Sequence, residues 1–176
     1  MIGSHIRIRP LAAEELHLLT AVTWSSGLPE KHRDRLERQS AGDVTYLIGW
    51  NGADPIGHML VRWTGPNDEP MRSQLTDCAE IEDFTVVSEL RSQGIGRLMM
   101  GFAEDEARQR GLRRIGVGVT LDNLRAKALY KRQGFSGSGF GTYITRWQYA
   151  DAAGEKRWRE ASCIYLVKEI HEETNG

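Results

Sequence analysis

Apolar and polar positions alternate at the start of the chain, where Ile6, Ile8 and Leu11 are separated by Arg7 and Arg9. This alternation predicts a strand with one buried face. Leu16, Leu19 and Ala21 then predict a helix over Ala12 to Thr23, which Leu28-Pro29 breaks before a charged, exposed helix from Glu30 to Gln39. Val44 to Trp50 and Ile56 to Trp63 predict two strands, and the turn Asn51-Gly52-Ala53-Asp54-Pro55 between them predicts a hairpin. Gly65-Pro66-Asn67-Asp68-Glu69-Pro70 opens a polar loop reaching about Ala79, and Glu80 to Val87 follows as a strand. Ile95, Leu98, Met99, Phe102, Ala103 and Ala107 keep helical spacing until Gly111 ends the run. Arg114 to Thr120 is a further strand, and Asp122 is placed to cap a helix running to Gln133, with Gly134 as its stop. Tyr143 to Tyr149 and Ala161 to Ile170 predict a last strand pair around Asp151-Ala152-Ala153-Gly154.

Hairpins favour antiparallel neighbours, and strand–helix–strand segments in the second half favour parallel ones. Together they predict an α/β fold with a mixed, mostly antiparallel, twisted sheet flanked by helices. With 176 residues and no repeat or linker, a single domain over 1–176 is expected. A net charge of -1 gives no global attraction to nucleic acid or to an anionic membrane. No apolar run approaches the ~20 residues of a membrane span. The segment Met1 to Ile8 lacks a signal-peptide core, so a cytoplasmic location is expected. The two cysteines, Cys78 and Cys163, show no CxxC spacing, and the five histidines are scattered, so no metal site is expected.

The stretch Val87-Ser88-Glu89-Leu90-Arg91-Ser92-Gln93-Gly94-Ile95-Gly96-Arg97 joins a strand to a helix start. Free backbone N–H groups and the positive end of a helix make such a turn an anion site. Arg97 falls in the first helical turn, where the helix dipole disfavours a cation by roughly 0.3–1 kcal/mol. No Ser, Thr, Asp or Asn stands directly before Gly94 to cap that helix. A bound phosphate would supply both the missing acceptors and the missing negative charge. Gly94 and Gly96 let an anion approach the backbone, with Arg91 and Arg97 on its flanks. Gly96-Arg97-Leu98 does not match a P-loop, and Met99 stands where a dinucleotide fingerprint needs a small residue.

Glu80-Ile81-Glu82-Asp83-Phe84-Thr85-Val86, followed by Arg91-x-x-Gly94-x-Gly96, resembles motif A of the GNAT (GCN5-related) N-acetyltransferases, about residues 80–111. Asn123-x-x-Ala126-x-x-Leu129-Tyr130-x-x-x-Gly134-Phe135 resembles their motif B, about residues 122–135. The two occur in the family's order and separation. The resemblance implies the GNAT (acyl-CoA N-acyltransferase) fold, acetyl-CoA as co-substrate, and pyrophosphate on the turn Arg91, Ser92, Gln93, Gly94, Ile95, Gly96 and Arg97. It also implies the pantetheine arm beside Phe84, Thr85 and Val86, where this strand parts from Ile115 to Val119. Val86 backbone would meet the thioester carbonyl. Asn123 and Ala126 would contact the arm, and the Tyr130 hydroxyl would face the sulfur. A homodimer is an expectation at the level of the family.

Attack of an amine on a thioester needs a base, because a lysine-like ammonium at pH 7 lies roughly three pK units from losing its proton, about 4–5 kcal/mol. The leaving thiolate gains from a proton donor. Glu80 and Glu82 alternate to one face of their strand, with Asp83 on the other. Glu82 is the first choice of base and Glu80 the alternative. The Glu82-Asp83 pair resembles one in the spermidine/spermine acetyltransferase branch, whose glutamate has that role. Tyr130 is the expected acid; Asn123, Ala126 and Tyr130 share one helix face. Thr64 to Asp83 is acidic and Arg91 to Arg114 basic, a split that suits a cationic amine and an anionic coenzyme. Trp24, Tyr143, Trp147, Tyr149 and Trp158 are candidates either for an acceptor wall or for core and dimer packing.

The expected activity is acetyl transfer to a primary amine of a small molecule or peptide. The alternatives are a non-catalytic acyl-CoA-binding or sensing module on the same scaffold, and a phosphate-binding interaction protein without CoA.

Overall fold

A computed structural model describes residues 6–22, 24, 29–151 and 153–170. The expected helix end at Thr23, the Leu28 half of the Leu28-Pro29 break and Ala152 of the last turn lie outside the described residues. Seven strands hydrogen-bond in the order β1-β2-β3-β4-β5-β7-β6. They are β1 (Ile6–Pro10), β2 (Val44–Asn51), β3 (Asp54–Arg62), β4 (Cys78–Val86), β5 (Arg114–Thr120), β6 (Ser136–Ala150) and β7 (Lys156–Glu169). The helices are α1 (Leu16–Thr20), α2 (Pro29–Ser40), α3 (Glu69–Gln74), α4 (Ile95–Gln109) and α5 (Leu124–Arg132). The sheet is mostly antiparallel, and β4 and β5 pair in parallel.

The chain forms two compact units, one of Met1–Val61, Asp83–Phe102 and Trp147–Arg159, the other of Arg62–Glu82, Ala103–Arg146 and Glu160–Gly176. In the first unit β1 pairs antiparallel with β2, from Ile6↔Asn51 to Pro10↔Leu47. Its core gathers Leu11, Leu19, Val44, Tyr46, Ile48, Trp50 and Leu60, with Leu16, Leu18 and Leu36 packed against them. In place of one helix over Ala12 to Thr23 there is a 3₁₀ turn, Ala13–Glu15, and then the short α1. The Glu15 carboxylate accepts from the Ala12 N–H at 3.2 Å and pairs with Arg9, which tightens this first turn.

The expectation of an exposed second helix is corrected. His32 and Arg35 on α2 are both buried. Spaced i, i+3, they share a face, and that face meets polar partners in the sheet. The Tyr46 hydroxyl lies 2.7 Å from His32 Nδ1 and accepts from Arg35 at 3.3 Å, and the Arg35 guanidinium pairs with the Asp83 carboxylate. Burial of charge is tolerated because it is paired and hydrogen-bonded.

In the second unit β5 is central. It pairs in parallel with β4 from Cys78↔Arg114 to Ile81↔Val117 and antiparallel with β7 from Arg114↔Glu169 to Thr120↔Cys163. Met71, Leu75, Cys78 and Tyr165 form its apolar cluster, with Phe140, Tyr143 and Val167 against it. The predicted loop up to Ala79 contains α3, which starts on Pro70 in its first turn and is held by buried Met71. β4 begins at Cys78, two residues before the sequence pattern places it, because pairing with Arg114 starts there. β6 and β7 start at Ser136 and Lys156, earlier than Tyr143 and Ala161, because ladder bonds extend them through polar and glycine positions that lack hydrophobic alternation. Asn123, not Asp122, caps α5, its side chain accepting from the Ala126 N–H at 3.0 Å. Asp122 instead accepts from the Thr120 hydroxyl at 2.6 Å.

Candidate functional site

In the first unit the end of β4 leads through a 3₁₀ turn, Ser88–Leu90, into an exposed loop and α4. Ser92 and Gly94 both have left-handed backbone, φ 63 and 87. Alternating conformations of this kind aim successive N–H groups outward as an anion-binding concavity. The ladder of α4 starts with the Leu98 N–H donating to the Gly94 carbonyl at 3.0 Å, so the N–H groups of Ile95, Gly96 and Arg97 stand ahead of it in the first turn. Buried Ile95 anchors the helix start, while Gln93, Gly94 and Arg97 are exposed. Arg91, on the flank of the turn, is held by its own strand. Its Nε donates to the Val86 carbonyl at 2.8 Å and braces the loop against its own strand. Gly57 of β3 admits the strand end closely, since a Cβ there would come 2.9 Å from the Thr85 carbonyl oxygen.

In the second unit Arg62 of β3 collects both candidate bases. Its Nε and Nη2 each lie 2.6 Å from Glu82 Oε1, and Glu80 Oε2 is 3.7 Å from Nε. Glu80 Oε2 also accepts from the Asn67 N–H at 2.8 Å. Glu80 is only 6% exposed. Burial, and then the neighbouring Glu82 charge, push its carboxyl from 4.5 up to about 7. Asp83, next in the chain and already part of the first unit, pairs there with Arg35 of α2 and is in left-handed backbone with φ 48.

Glu80 stands opposite Gly116 in the parallel ladder, so the two project to the same side. There the Tyr165 hydroxyl fills the space a Gly116 side chain would take, and the Tyr143 hydroxyl does the same at Gly118. Both phenols are pushed up, first by burial and then by charged neighbours that include Glu80 for each. Of the aromatics named from the sequence, Tyr143 packs in this cluster. Trp24 stacks on His58 at 5.8 Å in the first unit, and Trp158 is exposed.

On α5 the Asn123 oxygen is engaged as the helix cap, Ala126 is half-buried and Tyr130 is buried. The Tyr130 ring meets Phe135 edge-on at 5.4 Å, and burial holds its phenol well above the usual range, so it stays protonated. The charge split read from the sequence is largely neutralised locally. Asp77 pairs with Arg113 and Arg114, Glu69 with Arg72, Asp105 with Arg108 and Glu106 with Arg110.

Sequence patterns therefore located the turn, the β4 carboxylates and the α5 face. They missed Arg62, Tyr165 and the buried cations of α2. The Gly116-x-Gly118 spacing in a strand was a usable signal, because two glycines on one strand face leave room for something else. Among the described residues no group of three or more His, Cys, Asp or Glu could hold a metal ion, and no helix is long and apolar enough to cross a membrane.

Residues 11–135 match the family model described as acetyltransferase (GNAT) family. The chain is 37% identical over 90 residues to GCN5-related N-acetyltransferase 4, chloroplastic, of Arabidopsis thaliana, a match covering 51% of this chain and 29% of that protein. It is 42% identical over 106 residues to streptothricin acetyltransferase of Streptomyces lavendulae, covering 60% of this chain and 51% of that one. The chain thus spans about half or less of the length of these relatives. Its fold is similar to that of the PaiA N-acetyltransferase of Thermoplasma acidophilum solved in complex with coenzyme A, with TM-score 0.63 and 16% identity over 93% of this chain and 98% of that chain.

Proposed function

The chain belongs to the GNAT acetyltransferase family, and on that premise we propose that residues 1–176 act as one domain that transfers the acetyl group of acetyl-CoA directly to a primary amine of a small molecule or peptide. The observation that carries this reading is the turn into α4, where Ser92 and Gly94 are in left-handed backbone and the first-turn N–H groups stand ahead of the helix ladder. First-turn backbone donors, the helix dipole and Arg97 suit a pyrophosphate. When bound, acetyl-CoA supplies the acetyl group as a thioester. Phe84, Thr85 and Val86 are the proposed neighbours of its pantetheine arm in the first unit. Asn123 and Ala126 have that role in the second. The streptothricin acetyltransferase among the relatives supports a small-molecule acceptor.

The base comes from β4. Glu82 is committed to both nitrogens of an Arg62 fork, whereas Glu80 has a proton affinity raised to about 7. A base near the working pH accepts a proton from an ammonium more readily than an ordinary carboxylate does, by about 3 kcal/mol here. This favours Glu80, with Glu82 setting its charge environment. Tyr130, held protonated by burial, is the proposed acid for the departing thiolate.

Thiol release from acetyl-CoA across a panel of small amines, polyamines, aminoglycoside-like compounds, amino acids and peptides tests the activity. Thermal stabilisation by CoA tests the turn. Stabilisation with no thiol release on any acceptor would leave the non-catalytic acyl-CoA-binding module. No stabilisation would remove CoA altogether.

A further inference from the structure

Gly116 and Gly118 lie two apart on β5 and so share one face of the strand. A methyl group on either would run into a tyrosine hydroxyl, Tyr165 at the first and Tyr143 at the second. The two hydroxyls are therefore spaced along the strand by about 7 Å, two residues of rise. Glu80 is the cross-strand partner of Gly116 and projects to the same side. Tyr165 is 1% exposed, and among the described residues its hydroxyl has no hydrogen-bond partner within ordinary distance and angle. Met71, Leu75, Cys78 and Phe140 surround the pair with apolar atoms, a setting in which each remaining polar contact is strengthened.

We propose that Tyr165 and Tyr143 are positioning residues for the base: their hydroxyls, lodged where β5 carries no side chains, form with the Glu80 carboxyl one polar row that receives a proton from the acceptor ammonium. The proposal rests on the acetyl-transfer reading above. In the step an ammonium N–H bond breaks, its electron pair stays on nitrogen as the nucleophilic lone pair, and the proton forms an O–H bond on Glu80. That proton passes to solvent before the next turnover. Tyr143, half-buried at the outer end of the row, orients the incoming ammonium. Tyr165, buried at the inner end, steadies the ionised form of Glu80.

The other groups that face Glu80 are Glu82 and Cys78 on β4, Arg62 on β3 and the Asn67 N–H. Against that fixed background Tyr165→Phe removes the hydroxyl whose nearness favours the ionised carboxylate. The ionised form loses support, so the Glu80 titration should move upward by about half a pH unit or more. Carboxyl-carbon NMR reads this without any acceptor. The acidic limb of kcat/KM for the amine should move with it, and kcat/KM at pH 7 should fall about tenfold while KM for acetyl-CoA stays within about twofold. Tyr143→Phe, at a half-buried site, should raise KM for the amine and leave the Glu80 titration near its wild-type place. A folded Tyr165→Phe protein with an unmoved Glu80 titration and an unmoved acidic limb overturns the proposal. If wild type releases no thiol with any acceptor, the acetyl-transfer reading falls, and the NMR titration alone decides whether the hydroxyls act on Glu80.

Discussion

Arg35 on α2 forms an ion pair with Asp83 on β4, and Asp83 is in left-handed backbone within a strand. A non-glycine residue with positive φ needs its surroundings to hold it there. The guanidinium is 7% exposed and the carboxylate 45%, so the burden of desolvation falls on Arg35. The Tyr46 hydroxyl and His32 supply its other contacts.

Asp83→Ala should destabilise the fold by about 2–4 kcal/mol, because it strands a buried charge and places a residue without a polar side chain at positive φ. Asp83→Asn keeps a residue type that tolerates this backbone and should cost less. Urea unfolding of the two variants checks the order, and equal losses would separate the ion pair from the strand geometry.

Stability should fall as pH rises from about 4.5 to about 7 through Glu80. Its folded-state affinity for a proton exceeds that of the unfolded chain, so over that range the native state holds more protons and loses its advantage as they leave. Glu80→Gln should remove this decline and be more stable than wild type at pH 8 by about 2–3 kcal/mol. The same variant should lose acetyl transfer. Denaturation midpoints at pH 5 and pH 8 read the difference.

His32 acts with the opposite sign. Burial, then Arg35 and Lys31, pull its imidazole from 6.5 down to about 4, and His58 is lowered in the same direction. Here the unfolded chain holds the extra proton, so stability should be lost as pH falls from 6.5 toward 4. The contribution of His32 is about 2 kcal/mol, and His32→Gln should flatten that limb while leaving the Glu80 limb intact.

Gly116→Ala should cost more than Gly118→Ala. At Gly116 the new methyl meets both the hydroxyl and the ring of buried Tyr165, whereas at Gly118 it meets chiefly the hydroxyl of half-buried Tyr143, which can swing away. About 1–3 kcal/mol is expected for the first and less than about 1 for the second, by thermal unfolding.

Tyr130→Phe should lower turnover far more than acetyl-CoA affinity, because its ring packing on Phe135 survives and only the hydroxyl is lost. Equal loss of both would assign Tyr130 to packing.

Local physics made much of this protein legible in its sequence. Helical spacing from Ile95 and the glycines before it define α4 and its turn, and alternation over β4 places Glu80 and Glu82 on one side. The order of elements between Glu80 and Phe135 follows from period and punctuation alone. These features depend on residues a few positions apart, which is the range over which sequence pattern carries information. Tertiary structure decided the charge states and the partners. Whether α2 exposes His32 and Arg35 depends on Tyr46 and Asp83, distant in sequence, and no periodicity announces a buried cation. Whether Glu80 is an ordinary carboxylate or one poised near 7 depends on its burial beside Arg62, Glu82 and Tyr165. That Tyr165 reaches Gly116 follows from strand register, in which a shift of one residue would carry its side chain to the opposite face of the sheet.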